Sequence, residues 1–96
     1  MTAYVIIFRD RTVDEAALAA YAPAAAAARA GHAVTPVARY GRHEVLEGPE
    51  TEGVVVLAFP SFEEAQAWYR SPAYQEALKL RLAGADGRAV IVEGVD

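Results

Sequence analysis

Apolar positions along this chain fall into two kinds of run. Ala3 to Arg9 (Ala-Tyr-Val-Ile-Ile-Phe-Arg), Val34 to Tyr40, Gly53 to Phe59 and Arg88 to Glu93 are short and mostly rich in β-branched or aromatic residues. That length and composition predict strands. Pro36 cannot donate to a ladder, so Val34 to Tyr40 is expected at a sheet edge, with His43 to Glu47 as an irregular extension or a hairpin arm. The remaining segments predict helices. Thr12 stands three residues before Glu15, the spacing of a capping box. The helix it starts should run from Val13 to Ala30 with Leu18, Tyr21, Ala25 and Ala28 on one face. Pro23 should kink that helix, because proline removes a hydrogen bond and clashes with the carbonyl of Ala19. Gly31 is placed to end it in a left-handed conformation. Ser61 and Glu64 repeat the box for a helix through Arg70. Ser71-Pro72 then begins another, serine as cap and proline in the first turn. Tyr74, Leu78 and Leu82 line its inner side, with Arg81 at the edge of that side and Gly84 as its stop.

The order is β-α-β-β-α-β with the second helix split at Ser71. It predicts an α+β, ferredoxin-like fold: a four-stranded antiparallel sheet with helices on one face, in a single domain spanning residues 1–96. Three strands are apolar on both faces (Tyr4 to Phe8, Val54 to Leu57, Val90 to Val92), whereas a strand with one wet face alternates. Helices can cover only one side of such a sheet. A second copy packed sheet against sheet is the simplest cover for the other, which predicts a homodimer.

Composition sharpens this in two ways. Hydrophobic residues reach 54%, but many are alanines that fill little volume, and a small domain already buries a low share of its surface. Extra burial from a partner chain is therefore expected. The absence of cysteine excludes thiol catalysis, disulfides and cysteine metal sites, and gives no sign of an oxidising compartment. A net charge of −4 argues against nucleic acid or an anionic membrane as partner. The alanine-rich stretch is too short and too weakly apolar to span a bilayer, and no signal-peptide pattern opens the chain. A cytoplasmic protein is expected.

Phe59-Pro60-Ser61 and Ala67-Trp68-Tyr69-Arg70-Ser71-Pro72-Ala73-Tyr74-Gln75, with Glu47-Gly48 and the closing Val92-Glu93-Gly94-Val95, resemble the family known as domain of unknown function 1330. The resemblance covers nearly the whole chain. It implies a dimeric α/β barrel of ferredoxin-like subunits and supplies no reaction. The family usually has Arg-Gly where this chain has Arg39-Tyr40 before Gly41, so Tyr40 alters the lining or entrance of any cavity there. The wider superfamily includes cofactor-free monooxygenases, isomerases, haem binders and non-catalytic proteins, and a shared fold does not carry function between them.

Candidate chemistry gathers in few places. Trp68 and Tyr74 flank the helix break, where aromatic rings either wall a pocket or plug the gap over the sheet. Tyr69 beside them is expected at the dimer seam or surface. Arg39 and Arg81 could clamp a carboxylate, enolate or phenolate through the planar guanidinium fork; the plainer alternative is an ion pair with Glu47, Glu76 or Glu93. His43 shares strand parity with Glu47, a pairing that can serve as a general base or be a solvated edge. Tyr4 alternates with Ile6 and Phe8 and is either core or a pocket border. Two histidines without ligand spacing make no metal site, and no cofactor motif is present. The expected function is a small-molecule pocket between helices and sheet. Its alternatives are a cofactor-free monooxygenase or isomerase acting on a hydrophobic, acidic or phenolic compound, and a non-catalytic structural or interaction dimer.

Overall fold

The computed structural model describes residues 1–95. Its elements are β1 (Ala3–Thr12), α1 (Glu15–Ala27), β2 (Thr35–Arg39), β3 (Gly53–Phe59), α2 (Phe62–Arg70), α3 (Pro72–Gly84) and β4 (Ala85–Glu93). The strands form one antiparallel sheet in the order β2-β3-β1-β4, the ferredoxin-like α+β arrangement expected from the element order. β2 lies at an edge, as Pro36 requires.

Strand parity divides the sheet into two faces. Ala3, Val5 and Ile7 on β1 pair with Phe59, Leu57 and Val55 on β3, and all six are buried beneath the helices. The intervening residues Tyr4, Ile6 and Phe8 pair with Ala58, Val56 and Val54 on one side and with Val92, Val90 and Arg88 on the other. This second face carries no helix. Val90 and Val92 are 47% and 44% exposed there.

β1 extends three residues beyond the expected Arg9, into a polar segment that hydrophobic pattern does not reveal. Its pairing with β4 is carried by Arg11 to Asp86 at 2.7 Å and Arg88 to Asp10 at 3.1 Å. Thr12 is thereby drawn into the strand, where its N–H and hydroxyl both donate to Glu52. It cannot cap α1. Asp14 caps the helix, accepting from the N–H groups of Ala16 and Ala17 at 3.0 and 3.2 Å. α1 runs through Pro23 and ends at Ala27, three residues short of expectation, and Gly31 adopts the left-handed φ of 82°. His43 to Glu47 forms no strand and belongs to a long loop between β2 and β3.

The break at Ser71 is built as its sequence implies. Ser71 accepts from the N–H of Tyr74 at 3.2 Å to cap α3, while its own hydroxyl donates to the Trp68 carbonyl at 2.7 Å. One side chain thus closes α2 and opens α3. Proline at 72 holds Ser71 extended, with ψ at 146°. Trp68 and Tyr74 are consequently turned onto the same core, 2% and 0% exposed, with ring centroids 4.1 Å apart. Phe59 packs on Trp68 at 5.3 Å. Tyr69, half-buried, joins the cluster at 5.5 Å from Tyr74. Leu82 is 65% exposed, contrary to the expected stripe. At about 100° per residue, eight steps from Tyr74 drift about 80° off its direction, and seven steps return within about 20°. The inward position is Arg81.

α1 packs along α3 far more than on any strand. Gly84 permits the approach: a Cβ there would lie 2.7 Å from the Leu18 side chain. The helix is thus held off the β1–β3–β2 side of the sheet. No helix among the described residues is long and apolar enough to cross a membrane.

Candidate functional site

The space beneath α1 is a cavity of ≈ 320 Å³. Its floor is Ile7, Val55 and Leu57 of the sheet, and its roof is Leu18, Ala22, Ala25 and Ala26 of α1. A helix of ordinary core residues would fill this volume. One built of alanines held away by α3 does not. Trp68 and Arg81 reach it from α2 and α3, and Arg9, Arg29, Arg39, Tyr21 and Tyr40 complete the lining.

The lining has a gradient of exposure. Ile7, Val55, Leu57 and Trp68 are buried, whereas Arg39 and Tyr40 lie exposed on the edge strand and just beyond it. The edge-strand side is therefore the mouth, and the Trp68–Arg81 side is the inner end. Four arginines border the cavity and, among the described residues, no carboxylate or imidazole does. Of the four, only Arg9 has an ion pair among the described residues, its Nε 3.2 Å from Glu52 Oε1 and not aligned as a hydrogen bond. The alternative of Arg81 paired with Glu76 is not realised: Glu76 takes Lys79 at 3.0 Å.

Three buried donors in this lining lack hydrogen-bond partners among the described residues: Trp68 Nε1, Arg81 Nε and Arg9 Nε, the last beside the Glu52 carboxylate. Tyr21 is differently placed. Its hydroxyl is 2.9 Å from that of Tyr74, with rings edge to face at 6.4 Å. Burial, and then the Tyr74 hydroxyl, raises the Tyr21 phenol above its ordinary value, against a weaker opposing effect of the Arg81 charge.

Tyr40 at the mouth is the one non-glycine described residue in the left-handed region, with φ of 52°. Its ring lies against Gly53, where a Cβ would come within 2.4 Å of Cδ1. The Arg9 guanidinium sits 4.7 Å from the ring centroid on the same assembly. Arg9 is steadied by Glu52, whose carboxylate is itself held by Thr12.

Of the six residues singled out from sequence, the structure brings Arg39, Trp68 and Arg81 to this cavity. Tyr74 lies behind the wall, fully buried and bonded to Tyr21. Tyr4 sits on the opposite face of the sheet with Ile6 and Phe8, because its parity is the reverse of Val5 and Ile7. His43 is also separated from the cavity. It borders a second hollow with Phe8, Val54 and Arg88, and its Nε2–H donates to the Thr51 carbonyl at 3.0 Å. That bond ties down one end of the loop, and no hydrogen bond joins His43 to Glu47. Sequence reading missed Tyr21, Arg9 and Arg29, whereas Tyr40, expected at the lining or entrance of any cavity, stands in this lining. The concentration of alanine in α1 was the available signal, since it marks where a helix cannot fill the space beneath it. No group of three metal-ligating side chains is assembled among the described residues.

With this arrangement established, comparison with known proteins places it. The model of a family described as a domain of unknown function, DUF1330, matches residues 2–95. The chain belongs to the DUF1330 family. Comparison of this DUF1330 chain with curated proteins finds no match. Among solved structures it is similar to a protein of unknown function from Rhodopseudomonas palustris, with a TM-score of 0.75 and 21% identity over 99% of this chain and 83% of that one. A dimeric ferredoxin-like protein of unknown function from Thermobifida fusca matches with a TM-score of 0.65 and 17% identity, covering 96% of this chain and 90% of the other. SnoaB, a cofactor-independent oxygenase from Streptomyces nogalater, matches at 0.58 and 12%, covering 99% and 93%. At these identities the likeness is one of fold.

Proposed function

We propose that this DUF1330 protein is a cytoplasmic homodimer, one domain per chain, that encloses a small organic molecule in the cavity beneath α1. The cavity itself carries the reading. An unfilled apolar space forgoes dispersion contacts that close packing would supply, and a ligand of matching shape restores them. Its size, its apolar floor and its few convergent polar groups are those of a small-molecule site.

Support for the dimer comes from the helix-free face of the sheet. Tyr4, Ile6, Phe8, Val54, Val56, Val90 and Val92 form one contiguous apolar surface there, left partly exposed. Contiguous apolar surface of this kind marks an interaction site, and a second copy offers the matching face. The Thermobifida fusca neighbour is described as dimeric. Native mass spectrometry tests both parts. The expected species has twice the 10.3 kDa chain mass and takes up small organic molecules. Ile6→Asp should release monomers, and Ala25→Leu should abolish uptake while leaving the dimer. A monomeric wild type at micromolar concentration defeats the dimer, and unimpaired uptake by Ala25→Leu defeats the cavity as the site.

A second reading, cofactor-free oxygenation or isomerisation, draws on the fold shared with SnoaB. Such chemistry needs a group to take a proton from the substrate. The lining offers Tyr21 for that role, and its phenol is held protonated. Binding is therefore the reading favoured. Oxygen uptake by the purified protein with a phenolic substrate would reverse that preference.

A further inference from the structure

The cavity has a chemical polarity as well as a volume, and resting on the binding reading above, we infer that its ligand is a small apolar carboxylic acid. The acid enters carboxylate first, and its head is held at the inner end by Trp68 Nε1 and Arg81 Nε.

Three observations carry this. Trp68 is 2% exposed and its indole N–H has no acceptor among the described residues. Arg81 is half-buried, with its Nε shielded and likewise unpartnered; Arg9 Nε, the third such donor, lies beside Glu52. Trp68 and Arg81 line the same cavity. A buried donor without an acceptor is costly, and two in the lining of one cavity call for an acceptor there. The second observation is sign. Arg9, Arg29, Arg39 and Arg81 border the space with no carboxylate among the described lining residues, and three of them have no ion-pair partner among the described residues. An acceptor that is also an anion satisfies the donors and the charge together, and guanidinium suits a carboxylate because its fork can donate two parallel bonds. The third is the rest of the lining. Between the inner end and the mouth stand Ile7, Val55, Leu57 and the α1 alanines, which offer no hydrogen bond to a polar body. A phosphate or a sugar acid would leave its remaining oxygens against these methyl groups, a desolvation that an apolar body avoids.

The Tyr21 and Tyr74 hydroxyls share one hydrogen bond, which uses one of their two protons. The Trp68 indole N–H and Arg81 Nε–H have no acceptor among the described residues, and two such donors match the two oxygens of one carboxylate.

The chain contains a single tryptophan, so its indole N–H gives one resonance in a nitrogen–proton correlation spectrum. The experiment titrates the dimer with a series of cycloalkane and benzene monocarboxylates, each against the primary alcohol of the same carbon skeleton. The acids are expected to move the indole resonance downfield and to bind about tenfold or more tightly than their alcohols, the scale of one charge-assisted hydrogen bond. Arg81→Met and Trp68→Phe preserve bulk and should each weaken the acids by about tenfold or more while leaving the alcohols little changed. Thermal unfolding of both variants checks that the fold is retained. Alcohols binding as tightly as acids would overturn the carboxylate assignment and leave the cavity reading standing. Binding of neither series would overturn both. Acids that bind without moving the indole resonance, and equally well to Trp68→Phe, would remove Trp68 from the head-group site and overturn the inward orientation.

Discussion

The two halves of the space between helices and sheet are built on opposite plans. Over β1 and β3 near the Ser71 break, Phe59, Trp68, Tyr69 and Tyr74 meet ring against ring, with Val5 beneath and Ala65 and Ala77 completing the layer. Over the β2 side, the helix contributes alanines, the polar groups are arginines, and the centre is hollow. The same fold thus places its large side chains where two short helices must be locked and its smallest where a volume must be kept. Trp68 belongs to both halves, packed in the aromatic cluster and bordering the hollow.

The comparison can be broken most forcefully from the packed side. Trp68→Ala removes a fully buried indole and should cost about 3–5 kcal/mol, read as a shift in the denaturant midpoint. Tyr74→Phe is subtler. It keeps the ring and deprives the Tyr21 hydroxyl of its partner, for an expected loss of about 1 kcal/mol. Substitutions in the hollow half should separate stability from binding. Ala22→Leu and Ala25→Leu fill space that is empty, so stability should change by less than about 1 kcal/mol or rise. Binding of cycloalkane carboxylates, followed by Trp68 fluorescence, should disappear.

A weaker effect connects the halves through Tyr21. Its phenol ionises above the ordinary value near 10 when folded, and at that value when unfolded. Above pH ~10 the unfolded chain therefore releases a proton that the folded chain retains, so stability falls as pH rises and is intact below. Denaturant midpoints at neutral and strongly alkaline pH should show a steeper decline for the wild type than for Tyr21→Phe. Equal slopes would mean that Tyr21 ionises as freely in the folded protein as in the unfolded one.

Most of the fold was legible in the chain because its signals are local. β3 was read to the residue from Val54-Val55-Val56-Leu57, and Ser61 and Ser71-Pro72 placed both later helix starts. The failures share a cause. The end of β1 is stabilised by Arg11–Asp86 and Asp10–Arg88, partners more than seventy residues away, and no local pattern contains them. Drawing Thr12 into that ladder also cancelled a sound capping signal and passed the role to Asp14. For the site, Tyr4 and His43 illustrate a different limit. When a strand is apolar on both faces, alternation states which residues share a side but not which side the helices cover. Tyr4 and the Val5 set were therefore separable by sequence, and the choice between them was not. Arg81 was singled out from sequence at the edge of the inner side, and its inward place was within reach, since seven positions beyond Tyr74 is a closer return to the same face than eight.

Tyr40 and Gly53 bind two distant positions into one inheritance. Because the Tyr40 ring occupies the place of a Cβ on residue 53, any side chain there evicts it from the mouth of the cavity. Tyr40 also holds a left-handed conformation that a glycine would occupy at no cost. Evolution can therefore widen the entrance by changing either partner, but can restore it only by keeping the glycine first. The width of the doorway is recorded in a residue whose contribution is the absence of a side chain.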